Sequence, residues 1–153
     1  MIDPKIQDFI NRLHKDFERL CELIGIPESH KLLLATGKDE YREMFMKRCA
    51  ELKLNYKLKN VKVRYQRLGW CNSELGIIFV DCHIKRIMNN TLGYKQDATY
   101  EDHEDTLIHE LVHYRFNIRR HPKKLFKLID RVKAGESFSL MIEKKMSKVI
   151  IST

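Results

Sequence analysis

Long apolar runs, paired cysteines and structure-breaking residues are all scarce in this chain. No window approaches eighteen consecutive apolar residues, roughly the length a helix needs to cross a bilayer, so no membrane partner is expected. The opening MIDPKIQDFINRLHK carries charges where a secretory signal needs an apolar run, and the expected location is the cytoplasm. The four cysteines, Cys21, Cys49, Cys71 and Cys82, are scattered and include no C-x-x-C pair. That argues against a zinc ribbon or a disulfide framework and for reduced thiols packed as small hydrophobes. Six glycines and three prolines, with no repeat or low-complexity segment, exclude solenoid and disordered-linker architectures.

What is present is enough for one domain. A chain of 153 residues with 43% hydrophobic residues can bury one core but not two. We divide it into an N-terminal helical part (1–58), a core (60–133) that holds the motif described below, and a tail (134–153). The charge is uneven: residues 114–153 hold 11 Lys+Arg against 3 Asp+Glu, whereas residues 1–113 hold 18 of each. The excess that makes the net charge +8 is therefore all in the last quarter of the chain. Such a concentration either attracts phosphate backbones and acidic partners or forms a solvated helix face.

The period of the apolar residues changes along the sequence. Asp3 can cap a first helix with Pro4 in its first turn and a stripe of Ile6, Phe9, Ile10, Leu13, Phe17, Leu20 and Ile24, stopped by Gly25 and Pro27. A second helix is expected from about Lys38, with Tyr41, Phe45 and Leu52 facing inward, while KLLLA at 31–35 is too short to assign. VKVRYQR at 61–67 alternates like a half-buried strand, NSELG at 72–76 has turn chemistry, and IIFVDC at 77–82 reads as a more buried strand, giving an antiparallel pair. Residues 89–100 read as loop. A long helix is expected over Tyr100–Phe116 and a basic one over 122–133, with Pro122 at its first position. The tail is compatible with a strand, a helix or a docked arm. The fold class is α+β.

The chemistry concentrates in TLIHELVHYRFNIRRHPKKLF, residues 106–126. Each helical residue turns about 100°, so His109 and His113 project within about 40° of one another, one turn apart. Two imidazoles so placed can bind one ion at ~2.0–2.1 Å. Glu110 lies about 100° from His109, beside such an ion rather than on it, and is placed to act on a water molecule there. Leu107, Ile108 and Leu111 cover the opposite arc, so the helix has a core side and a chemical side. The letters alone match by chance in a minority of chains of this size, and a structural helix is the plain alternative. A glycine would stand at Phe116 and a histidine at Arg119 in the extended metzincin pattern, so that subclass is excluded. For the third ligand we take His121, because YRFNIRR lets the chain leave one helix and return at the start of the next. Glu136 and Glu143 are the alternatives. His103 lies about two turns from His109 and reads as a surface residue or a support for the ligands.

TLIHELVHYRF followed by His121 and an apolar helix resembles the SprT-like, WLM and YgjP-like zinc metallopeptidases, and so does LGWCNSELGIIFVD as a tryptophan-containing turn entering a strand. The similarity covers roughly residues 60–130. It departs from the group in having Pro122 directly after the third histidine, with Leu125 four and Phe126 five residues beyond it. The resemblance implies a zincin-like fold: one Zn2+ held by His109, His113 and His121, Glu110 as general base, and a polypeptide substrate. Strand 77–82 is the candidate edge for aligning that substrate, and Tyr114 and Tyr100 are candidate oxyanion donors. Some members of the group act on DNA-bound or DNA-crosslinked proteins, for which Arg115, Arg119, Arg120, Lys123, Lys124, Lys127 and Arg131 are the candidate DNA contacts. Two other readings stay open: a non-enzymatic DNA- or protein-binding module with a structural metal, and a regulatory peptidase that cleaves one dedicated repressor.

Overall fold

Asp3 starts the first helix as its sequence suggests, its carboxylate accepting from the Lys5 N–H at 2.9 Å, with Pro4 where no intrahelical N–H is needed. Helix α1 runs Pro4–Ile24 and buries Ile6, Phe9, Leu13, Leu20 and Ile24. Gly25 closes it at φ 82, its N–H bonding the carbonyls of Cys21 and Glu22. Glycine is required twice over there, since a Cβ would lie 2.4 Å from the Ser139 carbonyl oxygen.

The computed structural model describes residues 2–54 and 68–139. The strand expected over 61–67 and the tail from residue 140 lie outside the described residues. A 3-10 turn at Glu28–His30 leads to strand β1, Leu33–Ala35, and then to helix α2, Lys38–Glu51. The inner face of α2 is Tyr41, Phe45 and Cys49, with Leu52 half-buried just past its end.

Strands β2, Gly69–Asn72, and β3, Ile77–Val80, form a hairpin in which Trp70 pairs with Phe79. The turn between them falls on the expected NSELG. The sheet order is β1-β3-β2, with β1 parallel to β3. Two expectations are thereby corrected. The sheet is mixed rather than antiparallel, and β3 is its central strand, hydrogen-bonded on both sides, so it cannot be the edge that takes a substrate. Every β3 residue is buried because both faces are covered. Ile78 and Val80 belong to the core that includes Leu107 and Leu111 together with Leu13 and Leu20 of α1, whereas Ile77 and Phe79 belong to the one formed with Tyr41 and Phe45 of α2. The layers are thus α2, the sheet, and a helical layer containing α1.

Strands β4, Arg86–Asn89, and β5, Tyr94–Asp97, form a separate antiparallel ribbon. Residues 94–97 were expected as loop. Strand β5 is exposed along its whole length, so neither face needs the alternating apolar residues that make a strand visible in sequence. The ribbon feeds directly into helix α3, Tyr100–Phe116. Thr99 and Asp102 form a capping box at its start, and Asn117 ends it at φ 52. Helix α4, Lys123–Lys133, follows with Pro122 one position before the helix rather than within it. It buries Leu125, Leu128, Ile129 and Val132 in the same core as Leu107, Leu111 and Val112 of α3. Past α4, Phe138 donates its N–H to Leu23 and stacks edge-on to Phe116. Phe116 is therefore a packing residue at the helix end and does not cover the histidines. The protein is α+β, and among the described residues no helix is long and apolar enough to cross a membrane.

Candidate metal centre

Helix α3 holds one turn of chemistry against the hairpin. His109 and His113 lie on its outer side with Glu110 between them, and the bend at Asn117 returns the chain so that His121 faces both. The Nε2 atoms of His113 and His121 lie 3.0 and 3.2 Å from Nε2 of His109. Three ligands on one tetrahedral zinc sit about 3.3 Å apart, from Zn–N bonds of ~2.0–2.1 Å. The side chains thus already have the spacing of a shared ion, and among the described residues they are the group that could hold one.

Protonation agrees. His113 Nδ1 contacts the Ile118 carbonyl oxygen, which can only accept, so the proton is on Nδ1 and the Nε2 lone pair points at the cluster. Burial, then the neighbouring His113, His121 and Lys133, push His109 down to about 4. Burial also lowers His113. Both rings are neutral at physiological pH, which is the ligating form. Three ring nitrogens thus meet at one point, and His113 brings only a lone pair to it. A cation can satisfy all three lone pairs.

This depression has a consequence for stability. An unfolded histidine titrates near 6.5, so between about 6.5 and 4 the unfolded chain binds more protons than the folded one at His109. Stability present above that window is lost as pH falls through it. Because His109 is only half-buried, we expect the loss in chelator-treated protein to be roughly 1–2 kcal/mol after solvent screening. Denaturant unfolding at pH 7 and pH 4.5, compared between wild type and His109→Gln, measures it; an equal pH-dependent loss in the two proteins would contradict the burial assigned to this ring.

Glu110 is 8% exposed and lines the same cleft of about 770 Å3 as the three histidines. One wall is Leu68–Cys71 and Ser73, the floor is Asp105, Thr106, His109, Glu110 and His113 of α3, and the far wall is Asn117–Arg119 with His121. The close approach of α3 to β2 depends on Gly69. A Cβ there would stand 2.4 Å from Thr106 Cγ2, 3.0 Å from the Phe79 carbonyl oxygen and 3.2 Å from Glu110 Cγ. Gly69→Ala should therefore push the helix off the strand, costing about 1–3 kcal/mol as overpacking does and displacing Glu110. Denaturant midpoints check the cost; an unchanged midpoint would mean the two elements are looser than drawn. Cys71 is also on this wall, but burial and the Glu110 charge raise its thiol pKa, so it stays protonated and is no competing thiolate.

Several expected site residues lie elsewhere. Tyr114 is 1% exposed and its hydroxyl bonds His30 Nδ1 at 2.7 Å, on the core side of α3. The Tyr100 hydroxyl bonds Asp16 of α1. Neither lines the cleft, and neither is placed to meet an oxyanion. His103 is not a surface residue: it is 2% exposed and packs on Phe9 with ring centroids 5.2 Å apart, its pKa lowered by burial. Arg115 is a structural tie, donating to the carbonyls of Ile24 and Ser139 at 3.0 and 2.8 Å. Arg131 pairs with Glu136 through a 2.7 Å bond, which also removes Glu136 as a ligand candidate; Glu143 lies outside the described residues. Arg119, Arg120, Lys123, Lys124 and Lys127 remain exposed. Phe126 packs against His109 and His121, with centroids 6.3 and 6.4 Å away, so an aromatic five residues after His121 supports the cluster.

Gly69, Ile118 and Arg119 were not singled out as parts of the metal site by sequence reading. A glycine beside the sole tryptophan was the one available signal for the first. The backbone carbonyl of Ile118 has none. Comparison with protein-family models, with curated proteins and with solved structures finds no match for this chain.

Proposed function

We propose that this chain is a zinc-dependent endopeptidase of the SprT-like, zincin type. The observation that carries the reading is the convergence of three imidazole Nε2 atoms with a nearly buried glutamate in one cleft, against the outer strand of the sheet. Structural zinc sites are closed by four protein ligands, whereas three ligands and an open side leave room for a reactant. Three ring nitrogens in a cleft open beside Glu110 match the second pattern.

A bound zinc ion would polarise the peptide carbonyl and make water acidic enough to be deprotonated near neutrality. The protein's own groups do the rest. Glu110 accepts the proton of the attacking water and passes it to the leaving amine. Its burial against the Gly69 backbone keeps the carboxylate from being fully solvated. The Ile118 carbonyl holds His113 in its ligating tautomer. Strand β2 replaces β3 as the edge for an extended substrate, because among the described residues β2 is outermost in the sheet and its residues form the cleft wall. Action on DNA-bound proteins would draw on the exposed Arg120, Lys123, Lys124 and Lys127 at the start of α4, adjacent in sequence to His121.

The test compares metal content and cleavage of casein or histones for the wild type and Glu110→Gln, with and without single-stranded DNA. If both bind one zinc and neither cleaves anything, the centre is structural and the enzyme reading is lost. If generic substrates stay intact but the Glu110→Gln protein captures a single cellular protein, the dedicated-repressor reading takes over.

A further inference from the structure

Among the described arginines, Arg119 and Arg120 have neither an ion pair nor a hydrogen bond to another described group, whereas the others are tied to carboxylates or carbonyls. Of these two, Arg119 lines the cleft. Its backbone is held in fixed relation to the histidines: Asn117 turns the chain at φ 52, the Ile118 N–H bonds the His113 carbonyl at 3.2 Å, and the Ile118 carbonyl accepts the hydrogen bond of His113 Nδ1–H. The other cation near the floor is already answered, since Lys133 stands 3.1 Å from Asp105. An ion at the histidines would add two positive charges, against which the described lining sets the carboxylate of Glu110 and that of Asp105, already paired with Lys133. The cleft therefore presents net positive charge, with exposed Arg119 among its lining residues.

We propose that Arg119 is a specificity residue. It anchors an acidic side chain of the polypeptide in the subsite beside the reacting bond, so the cleft prefers substrate segments with Asp or Glu there. The inference rests on the peptidase reading and names its substrate class. A peptide carboxylate fits better than a nucleic-acid phosphate because Arg119 faces the cleft walled by β2, where an extended chain would lie, while the lysines of α4 are exposed outside it. A guanidinium presents two parallel donors to a carboxylate, which a lysine ammonium cannot.

The test uses the zinc-loaded full chain and pools of quenched-fluorescent decapeptides, randomised except for one position fixed as Glu, Gln or Lys. Wild type should cut the Glu pool at least about tenfold faster in kcat/KM than the Lys pool, the size expected of one charge-assisted contact. Arg119→Glu should reverse that order, an outcome that misfolding cannot produce, and Arg119→Lys should retain the order with a smaller ratio. Should no pool be cut, the peptidase reading fails by itself. The same pools titrated against the zinc-loaded protein by anisotropy then decide the inference, with Glu binding tightest in wild type and Lys tightest in Arg119→Glu. Equal rates or affinities for the three pools, or an equal loss on all of them in Arg119→Glu, overturn it. So does displacement of the peptides by a DNA oligonucleotide that Arg119→Glu abolishes, since the guanidinium would then be reading phosphate.

Discussion

Glu110→Gln should still bind one zinc ion per chain and should lose roughly 100- to 10,000-fold of peptide cleavage, the range that a positioned general base contributes. The amide keeps the size of the side chain in a space where Gly69 and Thr106 leave little room, so the helix need not move. It cannot accept the proton of the attacking water. The carboxylate is 8% exposed, and the amide keeps one carbonyl oxygen that can accept hydrogen bonds where the carboxylate does. Unfolding midpoints at or above wild type, with zinc stoichiometry unchanged, would therefore attribute the loss to chemistry. Metal content and kcat/KM measured on the same preparations check it. A variant that retains activity within a factor of a few would mean the base is another group, and among the described residues the cleft offers only Asp105 as a second carboxylate, already engaged with Lys133.

How much of this was legible beforehand depends on whether a feature is local. The helices were readable because caps and periods are sequence properties: Asp3 and Gly25 bound α1, and the long helix begins and ends where its pattern does. His109, Glu110 and His113 were readable for the same reason, since helical spacing alone fixes their relative directions. Strand β1 was not, because three residues carry no period and its place comes from parallel pairing with Ile77–Phe79 about forty residues on. The same pairing turned β3 from a supposed edge into the centre of the sheet. Tyr114, Tyr100 and His103 show the limit of a helical wheel. It gives the direction of a side chain but not what stands there, and for these three it is His30, Asp16 and Phe9. Conversely Arg115 and Arg131, indistinguishable in sequence from their basic neighbours, are occupied by Ile24, Ser139 and Glu136. A basic segment of apparently uniform character is thus divided between struts and free cations.

His121→Ala is the variant that separates a three-histidine centre from its alternatives. His121 is exposed, and its ring meets His109, His113 and Phe126. Its removal should shift apo stability by no more than about 0.5 kcal/mol, as for surface sites in general. Zinc affinity is another matter. Losing a partner that merely orients a ligand costs 10- to 100-fold, and losing a ligand itself should exceed about 100-fold. The loss appears directly in a thermal scan, because an ion bound only by the folded state stabilises by RT ln(1 + [L]/Kd). At a fixed free zinc concentration well above the wild-type Kd, a 100-fold weaker site forfeits up to about 2.7 kcal/mol of that stabilisation. Wild type and variant should therefore unfold together in chelator and apart in zinc. Coincident curves in both conditions would show that His121 does not reach the ion, leaving Glu143 or water to complete the set. A variant unstable even in chelator would show that the turn from Asn117 to Pro122 is held by His121 itself. Only the first pattern is compatible with a centre that the fold builds before the ion arrives.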